Sequence, residues 1–361
     1  MDKYPKMKIL YITVRADFGG GPRHVAQLIN RLEDKYELYV ACPIGEPYGT
    51  AWRHNDKIRV VDIPYRKFTF SALWKLRNLV KKEGIRIIHS HGNGAGMYSR
   101  LLKILCPKVK VIHTYHGISD TYASGMKATA SIIIGRLLSP FADRYICVSN
   151  GEKKMAIERH FSLDNNTLVI YNGIDDPIHA VRASHKRPCN FVTLSRFDYQ
   201  KNMDEMYRIA KAFKDDDRIT FTWVGDGEDR EKLERDAENE RVKVTFTGFT
   251  RTPSKYLEMA DWYISTSRFE GLPYGLIEAA SVGLPIIASN VKGNNEVVSD
   301  KYNGFIFQTE DEAIEKIKDI LDNKYDYQRL SQHSISFFRD NFTEDKMIEK
   351  LCELYKSVTN D

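Results

Sequence analysis

The sequence has no long apolar run, and this absence excludes a membrane-spanning helix. Its best apolar stretch, residues 131–138, is interrupted by Arg136 and is far shorter than the ~20 residues that a span requires. The first residues, MDKYPKMKILYITV, have lysines but neither a long apolar segment nor a small-residue cleavage site, so they predict a first strand and not a signal peptide. We therefore expect a soluble, cytoplasmic protein.

Closely spaced cysteines are also missing. No two of the five cysteines form a CxxC pair, which excludes a dithiol redox motif and a cysteine-based zinc site. We expect all five to be reduced core residues. They are Cys42, Cys106, Cys147, Cys189 and Cys352.

The net charge of +5 is small, but it is unevenly distributed. Residues 1–180 carry 27 Lys and Arg against 16 Asp and Glu, a net charge of +11. Residues 181–361 carry 27 against 33, a net charge of −6. The basic half predicts an anionic partner, such as a phosphate, a membrane face or a nucleic acid.

Length and hydropathy pattern predict two α/β domains. A chain of 361 residues with 42% hydrophobic residues exceeds what one core usually holds. Short apolar runs alternate with amphipathic stretches, the pattern of parallel strands joined by helices. A polar segment at 175–188 carries two prolines and separates the halves. The predicted domains are 1–177 and 178–342, with a C-terminal helix over 343–361 that packs back on the first domain.

The runs that favour strands in the first half are residues 8–13, 36–41, 59–63, 85–89, 110–114, 144–148 and 167–171, with helices at 23–32, 71–83 and 96–105. In the second half the predicted strands are 190–195, 219–224, 242–247, 262–265 and 285–288, with helices at 201–213, 229–240, 252–259 and 275–281. Two doubly wound domains of this kind bind ligands at the carboxyl ends of their strands, so we expect a cleft between them to hold the site.

A glycine-rich turn, Gly19-Gly20-Gly21, follows the first strand and opens a helix. Glycines allow close approach of the backbone to a ligand, and a helix N-terminus attracts phosphate. The run is not GxGxxG and lacks the Walker lysine, which argues against an ordinary dinucleotide site and a P-loop. A glycine turn that only caps the helix is the alternative.

Arg196 and Lys201 follow the first strand of the second half, at a strand-to-helix turn. A forked guanidinium and an ammonium in these positions could neutralise a diphosphate. The alternative is a pair of solvated surface cations.

Glu270 and Glu278 lie before and within a nearly all-apolar helix. Two carboxylates at this spacing could bind different hydroxyls of one polyol ligand. The apolar neighbours of Glu278 argue against an ordinary exposed glutamate.

Four histidines follow two successive strands. The spacing is not typical of zinc sites, so no metal site is predicted, and we expect His89 and His113 to be core residues. His116, beside Gly117 and past the strand end, is the best candidate for the cleft. The other histidine of the group is His91.

Two further motifs have simpler interpretations. A DxD arrangement occurs only at Asp215 and Asp217, where a solvated acidic turn is expected rather than a metal site. The basic amphipathic helix at 70–82 could bind an anionic membrane, or its apolar face could pack on the sheet. Its cations are Lys75, Arg77, Lys81 and Lys82.

Together these motifs resemble, over essentially the whole chain, the retaining glycosyltransferases of family GT4 (glycosyl transferases group 1), which have the GT-B fold. Their order carries the resemblance. It comprises Gly19-Gly20, His91, Tyr115-His116-Gly117, Val148-Ser149, Tyr171-Asn172-Gly173-Ile174-Asp175, Ser195-Arg196, Lys201-Asn202, Gly225-Asp226-Gly227, Gly248 and Glu270 with Glu278.

The resemblance implies two Rossmann-like domains that face a central cleft, the first binding the acceptor and the second a nucleotide-sugar donor. It implies that Gly20, Arg196 and Lys201 bind the donor diphosphate, while Glu278 binds the ribose and Glu270 the sugar. It further implies that the backbone of Gly271 and Leu272 contacts the sugar and that the backbone of Phe249 and Thr250 contacts the base. His116 would lie near the anomeric carbon.

The implied reaction is transfer of a sugar, with retention and without metal or cofactor, from a UDP-sugar to a glycan or lipid-linked acceptor in bacterial surface-glycan synthesis. Catalysis would involve His116, Glu270, Arg196 and Lys201. The basic first domain predicts an anionic, lipid-diphosphate acceptor at the inner membrane face. Alternatives are a UDP-sugar 2-epimerase of the same fold and a noncatalytic nucleotide-sugar or nucleic-acid binding protein. The aromatic residues argue against nucleic acid, because they are spread at the spacing of core residues and are not interleaved with a basic surface.

Overall fold

A computed structural model of the chain describes residues 6–118, 126–177 and 188–360. The chain forms two compact units. The first contains the described residues up to Tyr171 together with those from Met347 onward, and the second is Asn172–Lys346. Residues 178–187 of the predicted linker lie outside the described residues.

The first unit contains a parallel sheet of seven strands in the order β3-β2-β1-β4-β5-β6-β7. Chain order reverses between β1 and β4, so the loops after these two strands lie at the topological switch point where such sheets bind ligands. The strands are β1 (Lys8–Thr13), β2 (Glu37–Cys42), β3 (Ile58–Asp62), β4 (Ile87–His91), β5 (Lys110–Thr114), β6 (Arg144–Cys147) and β7 (Thr167–Val169).

Helices connect these strands and cover the sheet. The helix predicted at 71–83 extends over Phe70–Glu83. Thr69 caps its N-terminus by accepting from the Ala72 N–H, and Gly84 ends it at a φ of 67°. Its side chains Leu73, Leu76 and Val80 are buried. The helices of the unit are α1 (Gly20–Leu32), α2 (Tyr48–Arg53), α3 (Phe70–Glu83), α4 (Asn93–Leu105), α5 (Met126–Leu137) and α6 (Asn150–Glu158).

The second unit contains a parallel sheet of six strands in the order β10-β9-β8-β11-β12-β13, with its switch point between β8 and β11. The strands are β8 (Cys189–Leu194), β9 (Ile219–Val224), β10 (Val244–Gly248), β11 (Trp262–Ser265), β12 (Ile286–Ser289) and β13 (Gly304–Phe307). The remaining helices are α7 (Met203–Lys211), α8 (Arg230–Glu240), α9 (Ser254–Met259), α10 (Tyr274–Ser281), α11 (Asn294–Val297), α12 (Glu310–Leu321), α13 (Tyr327–Asn341) and α14 (Glu344–Asn360).

The final helix, α14, returns to the first unit. Its residues Met347, Leu351 and Tyr355 are buried in the same hydrophobic cluster as Ile9 of β1. The Tyr355 hydroxyl also bonds to Nδ1 of His89 at 2.7 Å. These contacts confirm the predicted return of the C-terminal helix.

The predicted fold class, two doubly wound α/β halves, is confirmed by these two sheets. All five cysteines are free and buried, as predicted. No helix within the described ranges is both long enough and apolar enough to cross a membrane. The largest errors in helix starts are three residues: α1 begins at Gly20 and not at 23, and α4 begins at Asn93 and not at 96. Helix α7 begins at Met203 and not at 201, because Asn202 has a left-handed conformation with φ 56°.

Candidate active site

The predicted donor residues lie at the carboxyl ends of two neighbouring strands of the second unit. Arg196 and Lys201 follow β8, and Glu270 follows β11. Since β8 and β11 are adjacent at the switch point, their loops meet, although the two motifs are 69 positions apart in sequence. The fold therefore brings the two motifs together.

Lys201 and Glu270 form a buried ion pair. The Lys201 Nζ donates to Glu270 Oε1 at 2.6 Å, and the two side chains are only 19% and 7% exposed. Gln200 Nε2 donates to the other carboxylate oxygen at 3.4 Å and to the Phe269 carbonyl at 3.1 Å. The motifs predicted both charged residues but not their contact. A buried pair of this kind holds a cation and a carboxylate in contact with each other at the carboxyl ends of the two strands.

Arg196 is the more exposed of the two cations. Its guanidinium lies 3.0 Å from Asp198 Oδ2 and donates to Gln200 Oε1 at 3.0 Å, with 54% of the side chain exposed. Of the two cations predicted for a diphosphate, Lys201 is thus fixed in a buried pair, whereas Arg196 lies at the surface of the same loop. A guanidinium has five N–H donors, so these contacts leave others for a phosphate.

Glycines shape the loop that carries Arg196. A Cβ on Gly225 would lie 1.8 Å from the Ser195 carbonyl oxygen, and one on Gly227 would lie 2.2 Å from that of Phe197. Phe197 N–H donates to the Asp226 carbonyl at 2.9 Å. The predicted Gly-Asp-Gly motif therefore supports the loop after β8, because any side chain at either glycine would push it away.

Asn172 and Gly293 support the loop that follows Glu270. Asn172, which is buried, donates from Nδ2 to the Leu272 carbonyl at 3.0 Å. A Cβ on Gly293 would lie 2.6 Å from the Gly271 carbonyl oxygen. The sequence motif included Asn172 without assigning it a role, since the contact spans 100 positions.

Glu278 lies on α10 and is partly buried, close to a tyrosine that the motifs did not identify. Burial raises the pKa of the Tyr263 hydroxyl above its usual value of 10, and the carboxylates of Glu278 and Glu270 raise it further. This hydroxyl donates to the Leu194 carbonyl at 3.1 Å and would lie 2.4 Å from a Cβ on Gly275. Tyr263 therefore links β11 to the end of β8 through its hydroxyl, which lies within the electrostatic influence of both glutamates.

Phe249 and Thr250, expected near the base, follow β10. Phe249 is 53% exposed, and the Thr250 hydroxyl accepts a hydrogen bond from the Thr252 N–H at 3.1 Å. Gly248 ends the strand with φ 72°, and a Cβ there would meet the Arg230 guanidinium at 2.8 Å. Both predicted residues thus lie at the carboxyl edge of the sheet, after a strand that β9 and β8 separate from β11.

In the first unit, the glycine-rich turn lies at the start of α1. Gly20 is the first helical residue, and Gly19 precedes it with extended backbone at φ 161° and ψ 163°. The first turn of the helix contains no acidic residue. This N-terminus, at the β1 side of the switch point, has the position and polarity of a phosphate-binding helix end.

Three histidines gather beside that turn: His91 ends β4, His116 follows β5, and His24 lies on α1. His91 Nδ1 is 3.2 Å from His116 Nε2, and the His24 ring centroid is 5.0 Å from that of His116. Burial lowers the pKa of His91 and of His116 well below the usual 6.5, so both rings are neutral near pH 7.

The same three histidines are the one group in the described part of the chain whose nitrogen atoms could share a metal ion, with ligand atoms within 4.8 Å of one another. The strand-end spacing did not predict this group, because His24 comes from the helix after β1. Neutral imidazoles could equally serve as hydrogen-bonding partners of a sugar.

The remaining two of the four predicted strand-end histidines, His89 and His113, are core residues, as predicted. His89 is fully buried, and both of its nitrogens are bonded, to Tyr355 and to Thr114, at 2.7 Å. His113 is also fully buried, with its Nδ1 2.9 Å from the Ser90 hydroxyl.

The acidic turn is ion-paired, as expected for a surface feature. Asp216 contacts Arg218 at 2.7 Å, and Asp217 contacts Lys243 at 2.5 Å.

Helix α3 has both an apolar buried face and an exposed aromatic face. The predicted packing on the sheet is confirmed by the burial of Leu73, Leu76 and Val80. On the exposed face, Phe70 is 79% and Trp74 54% exposed, and the Arg77 guanidinium lies 4.7 Å from the Trp74 ring centroid. Lys81 shares this face by helical spacing. Lys75 does not, since it donates to the Asp62 carbonyl.

The chain is similar to known proteins over nearly its whole length. The chain is 24% identical to an Escherichia coli UDP-Gal:α-D-GlcNAc-diphosphoundecaprenol α-1,3-galactosyltransferase, over 98% of this chain and 97% of the relative. It is 26% identical to the capsular polysaccharide biosynthesis glycosyltransferase CapH of Staphylococcus aureus, over 98% and 99%. The crystal structure of HepE from Anabaena in complex with UDP has the same fold, with a TM-score of 0.83 and 16% identity over 97% of this chain and 100% of that one.

Two family models match adjacent parts of the chain. The model described as Glycosyltransferase Family 4 matches residues 18–176, and the model described as Glycosyl transferases group 1 matches residues 175–337. The first match contains the glycine turn and the histidines, and the second contains Arg196, Lys201, Glu270 and Glu278. The chain therefore belongs to the GT-B glycosyltransferases of family 4.

Proposed function

We propose that this protein transfers a sugar from a UDP-sugar to a hydroxyl of a glycan or lipid-linked acceptor, with retention of anomeric configuration, in the synthesis of a cell-surface polysaccharide or glycolipid. The observation that carries the proposal is the buried pair at the carboxyl ends of β8 and β11, in which Lys201, from the loop that also carries Arg196, contacts Glu270 from the loop after β11.

In this proposal the bond between the anomeric carbon and the diphosphate oxygen breaks, and its electron pair goes to the diphosphate. Arg196 and Lys201, with the helix N-terminus at Gly20, stabilise the negative charge that grows there. Lys201 uses one of its three N–H donors on Glu270, so two remain for phosphate oxygens. The acceptor hydroxyl attacks the same face of the sugar, and its proton passes to the departing diphosphate oxygen.

The remaining contacts position the donor. Glu270 binds sugar hydroxyls, assisted by the backbone N–H groups of Gly271 and Leu272, while Glu278 binds the ribose. His116, neutral through burial, acts near the anomeric carbon. The backbone at 249–250 contacts the base. UDP is the favoured nucleotide because the HepE crystal structures contain UDP or UDP-glucose and the E. coli relative is named for UDP-Gal.

We propose that transfer needs no metal ion, because fixed cations supply the charge on the leaving group. In the DxD arrangement, Asp217 is paired with Lys243. We expect turnover in the presence of excess EDTA to equal turnover in added Mg²⁺ or Mn²⁺. Loss of activity in EDTA that is restored by either ion would contradict this part.

The acceptor is proposed to bind the basic first unit and to be an anionic lipid-diphosphate glycan at the inner membrane face. Exposed Phe70 and Trp74 beside Arg77 and Lys81 suit the interface of an anionic bilayer, where aromatic rings insert and cations meet lipid phosphates. The E. coli relative named above carries a diphosphoundecaprenol acceptor in its name. Lys75 and Lys82 add to the positive field on the adjoining face.

The test is a donor screen followed by a transfer assay. UDP-, GDP-, ADP- and TDP-sugars are compared by thermal shift, since a ligand at free concentration L that binds only the folded protein stabilises it by RT ln(1 + L/Kd) and so raises the melting temperature. The stabilising donor is then incubated with lipid-diphosphate glycans, the product is identified by mass spectrometry, and its anomeric configuration is read by NMR. An epimerised sugar nucleotide formed without acceptor would indicate the 2-epimerase, and stabilisation without any product would indicate a binding protein.

A further inference from the structure

A buried carboxylate holds the loop that carries His116. Glu152, in the first turn of α6, is fully buried. Its Oε1 accepts hydrogen bonds from the N–H groups of Gly117 at 2.6 Å and Ile118 at 2.9 Å, and its Oε2 accepts from Val148 N–H at 2.8 Å. One side chain thus joins the loop after β5 to the end of β6.

These bonds have the features of a built anchor. Burying a carboxylate is costly unless its charge is met by donors, and here both oxygens are satisfied by backbone N–H groups. The Ser149 side chain caps α6 by accepting from the Glu152 N–H at 3.1 Å, which stabilises the start of the helix. The carboxylate also lies at the positive end of the helix dipole.

The anchored backbone is unusual in conformation. Gly117 has φ 105°, a region that L residues rarely adopt, and two successive N–H groups point at one oxygen. His116 is bonded covalently to Gly117, so the placement of the imidazole depends on this geometry. On its other side the ring contacts His91 at 3.2 Å, and Gly21 lies close enough that a Cβ there would be 3.6 Å from it.

We propose that Glu152 is a positioning residue for sugar transfer, acting through His116 and not by contact with substrate. This inference rests on the proposed function, in which His116 acts at the donor sugar. A displacement of about 1 Å at such a group can lower a rate by about a hundredfold. Glu152 would therefore affect kcat far more than donor affinity.

The decisive experiment is a double-mutant cycle of Glu152→Gln and His116→Ala, with kcat and the donor KM measured in each background. Gln keeps the length but cannot accept hydrogen bonds on both sides. In the presence of His116, we expect Glu152→Gln to lower kcat by about 10- to 100-fold and to change KM by less than about threefold. In the His116→Ala background, the same substitution should lower kcat by less than about threefold, because there is no imidazole left to position.

Two controls separate positioning from folding. Glu158→Gln changes an exposed glutamate on the same helix, 4.0 Å from Lys154, and should leave kcat unchanged. Ser149→Ala removes the helix cap while retaining the carboxylate, so it should lower the melting temperature with little change in kcat at a temperature where the protein is folded.

A second variant keeps the inference testable if Glu152→Gln does not fold. In Gly117→Ala the carboxylate remains, no described atom lies within 4 Å of the new Cβ, and only the backbone conformation is strained. It should show the same coupling to His116→Ala. Equal losses of kcat with and without His116 would overturn the positioning role of Glu152 and leave the proposed function standing. Absence of transfer by the wild-type protein would overturn the proposed function itself.

Discussion

Removing one charge of the buried Lys201 and Glu270 pair should destabilise the second unit measurably. In Lys201→Met the Glu270 carboxylate, 7% exposed, keeps only the 3.4 Å contact from Gln200 Nε2 among the contacts described above. Breaking a buried ion pair on one side costs about 3 to 5 kcal/mol, and the lower end applies because Gln200 remains. For a unit of this size, about 3 kcal/mol corresponds to a fall of roughly 6 to 12 °C in Tm.

Equilibrium urea unfolding followed by tryptophan fluorescence measures this change, since Trp223 and Trp262 are buried in the core of the second unit. A double variant, Lys201→Met with Glu270→Gln, removes both charges and should recover about 2 kcal/mol of the loss. It should nevertheless remain inactive, because stability and the charge on the leaving group are separate requirements.

Lys324→Met is the matched control. That lysine is 59% exposed and pairs with Asp319 at the surface, so its removal should leave the midpoint of urea unfolding nearly unchanged. Wild-type stability in Lys201→Met, or recovered turnover in the double variant, would refute the reasoning.

Three further predictions follow from the described residues. Gly225→Ala should lower stability and weaken donor binding, because Gly225 has φ 143° and its new Cβ would lie 1.8 Å from the Ser195 carbonyl oxygen. Gly45→Ala, with no described atom within 4 Å of the new Cβ, should change neither property. Thermal melting with and without UDP measures both. The folded pKa values of His89, His91, His113 and His116 lie below the unfolded value of 6.5. The first unit therefore keeps its full stability above about pH 6.5, and as the pH falls it loses up to about 1.4 kcal/mol per pH unit for each histidine. Urea unfolding at pH 7.5, 6 and 5 measures this loss, and an unchanged midpoint would be inconsistent with neutral buried rings. Flotation with anionic vesicles should be lost in Trp74→Ser with Arg77→Glu and retained in Lys324→Glu, and salt-insensitive flotation would argue against an electrostatic contribution.

Much of the fold could be predicted from sequence because local patterns determine it. The strands at 219–224 and 262–265 were predicted with their observed ends, since short apolar runs between turn residues are typical of buried parallel strands. Helix starts were less accurate where a loop residue such as Asn202 has a conformation that periodicity does not reveal.

The site was predictable only in part, for a physical reason. Motifs in loops after strands identified Arg196 and Glu270 because such loops carry ligand-binding groups in this class of sheet. The supporting contacts depend on tertiary structure: Glu152 reaches Gly117 from 35 positions away, and Asn172 reaches Leu272 from 100. A buried glutamate beside a serine cap looks in sequence like an ordinary helix start.

The central claim is that fixed cations on the loop after β8 stabilise the leaving diphosphate. The most direct measurement is kcat/KM for sugar transfer from the stabilising nucleotide sugar, in the wild-type protein and in Arg196→Ala, with folding checked by thermal melting. Arg196 is exposed, so the variant should fold normally. We expect kcat/KM to fall by about a hundredfold or more. Near wild-type turnover in Arg196→Ala would contradict the assignment of the diphosphate site.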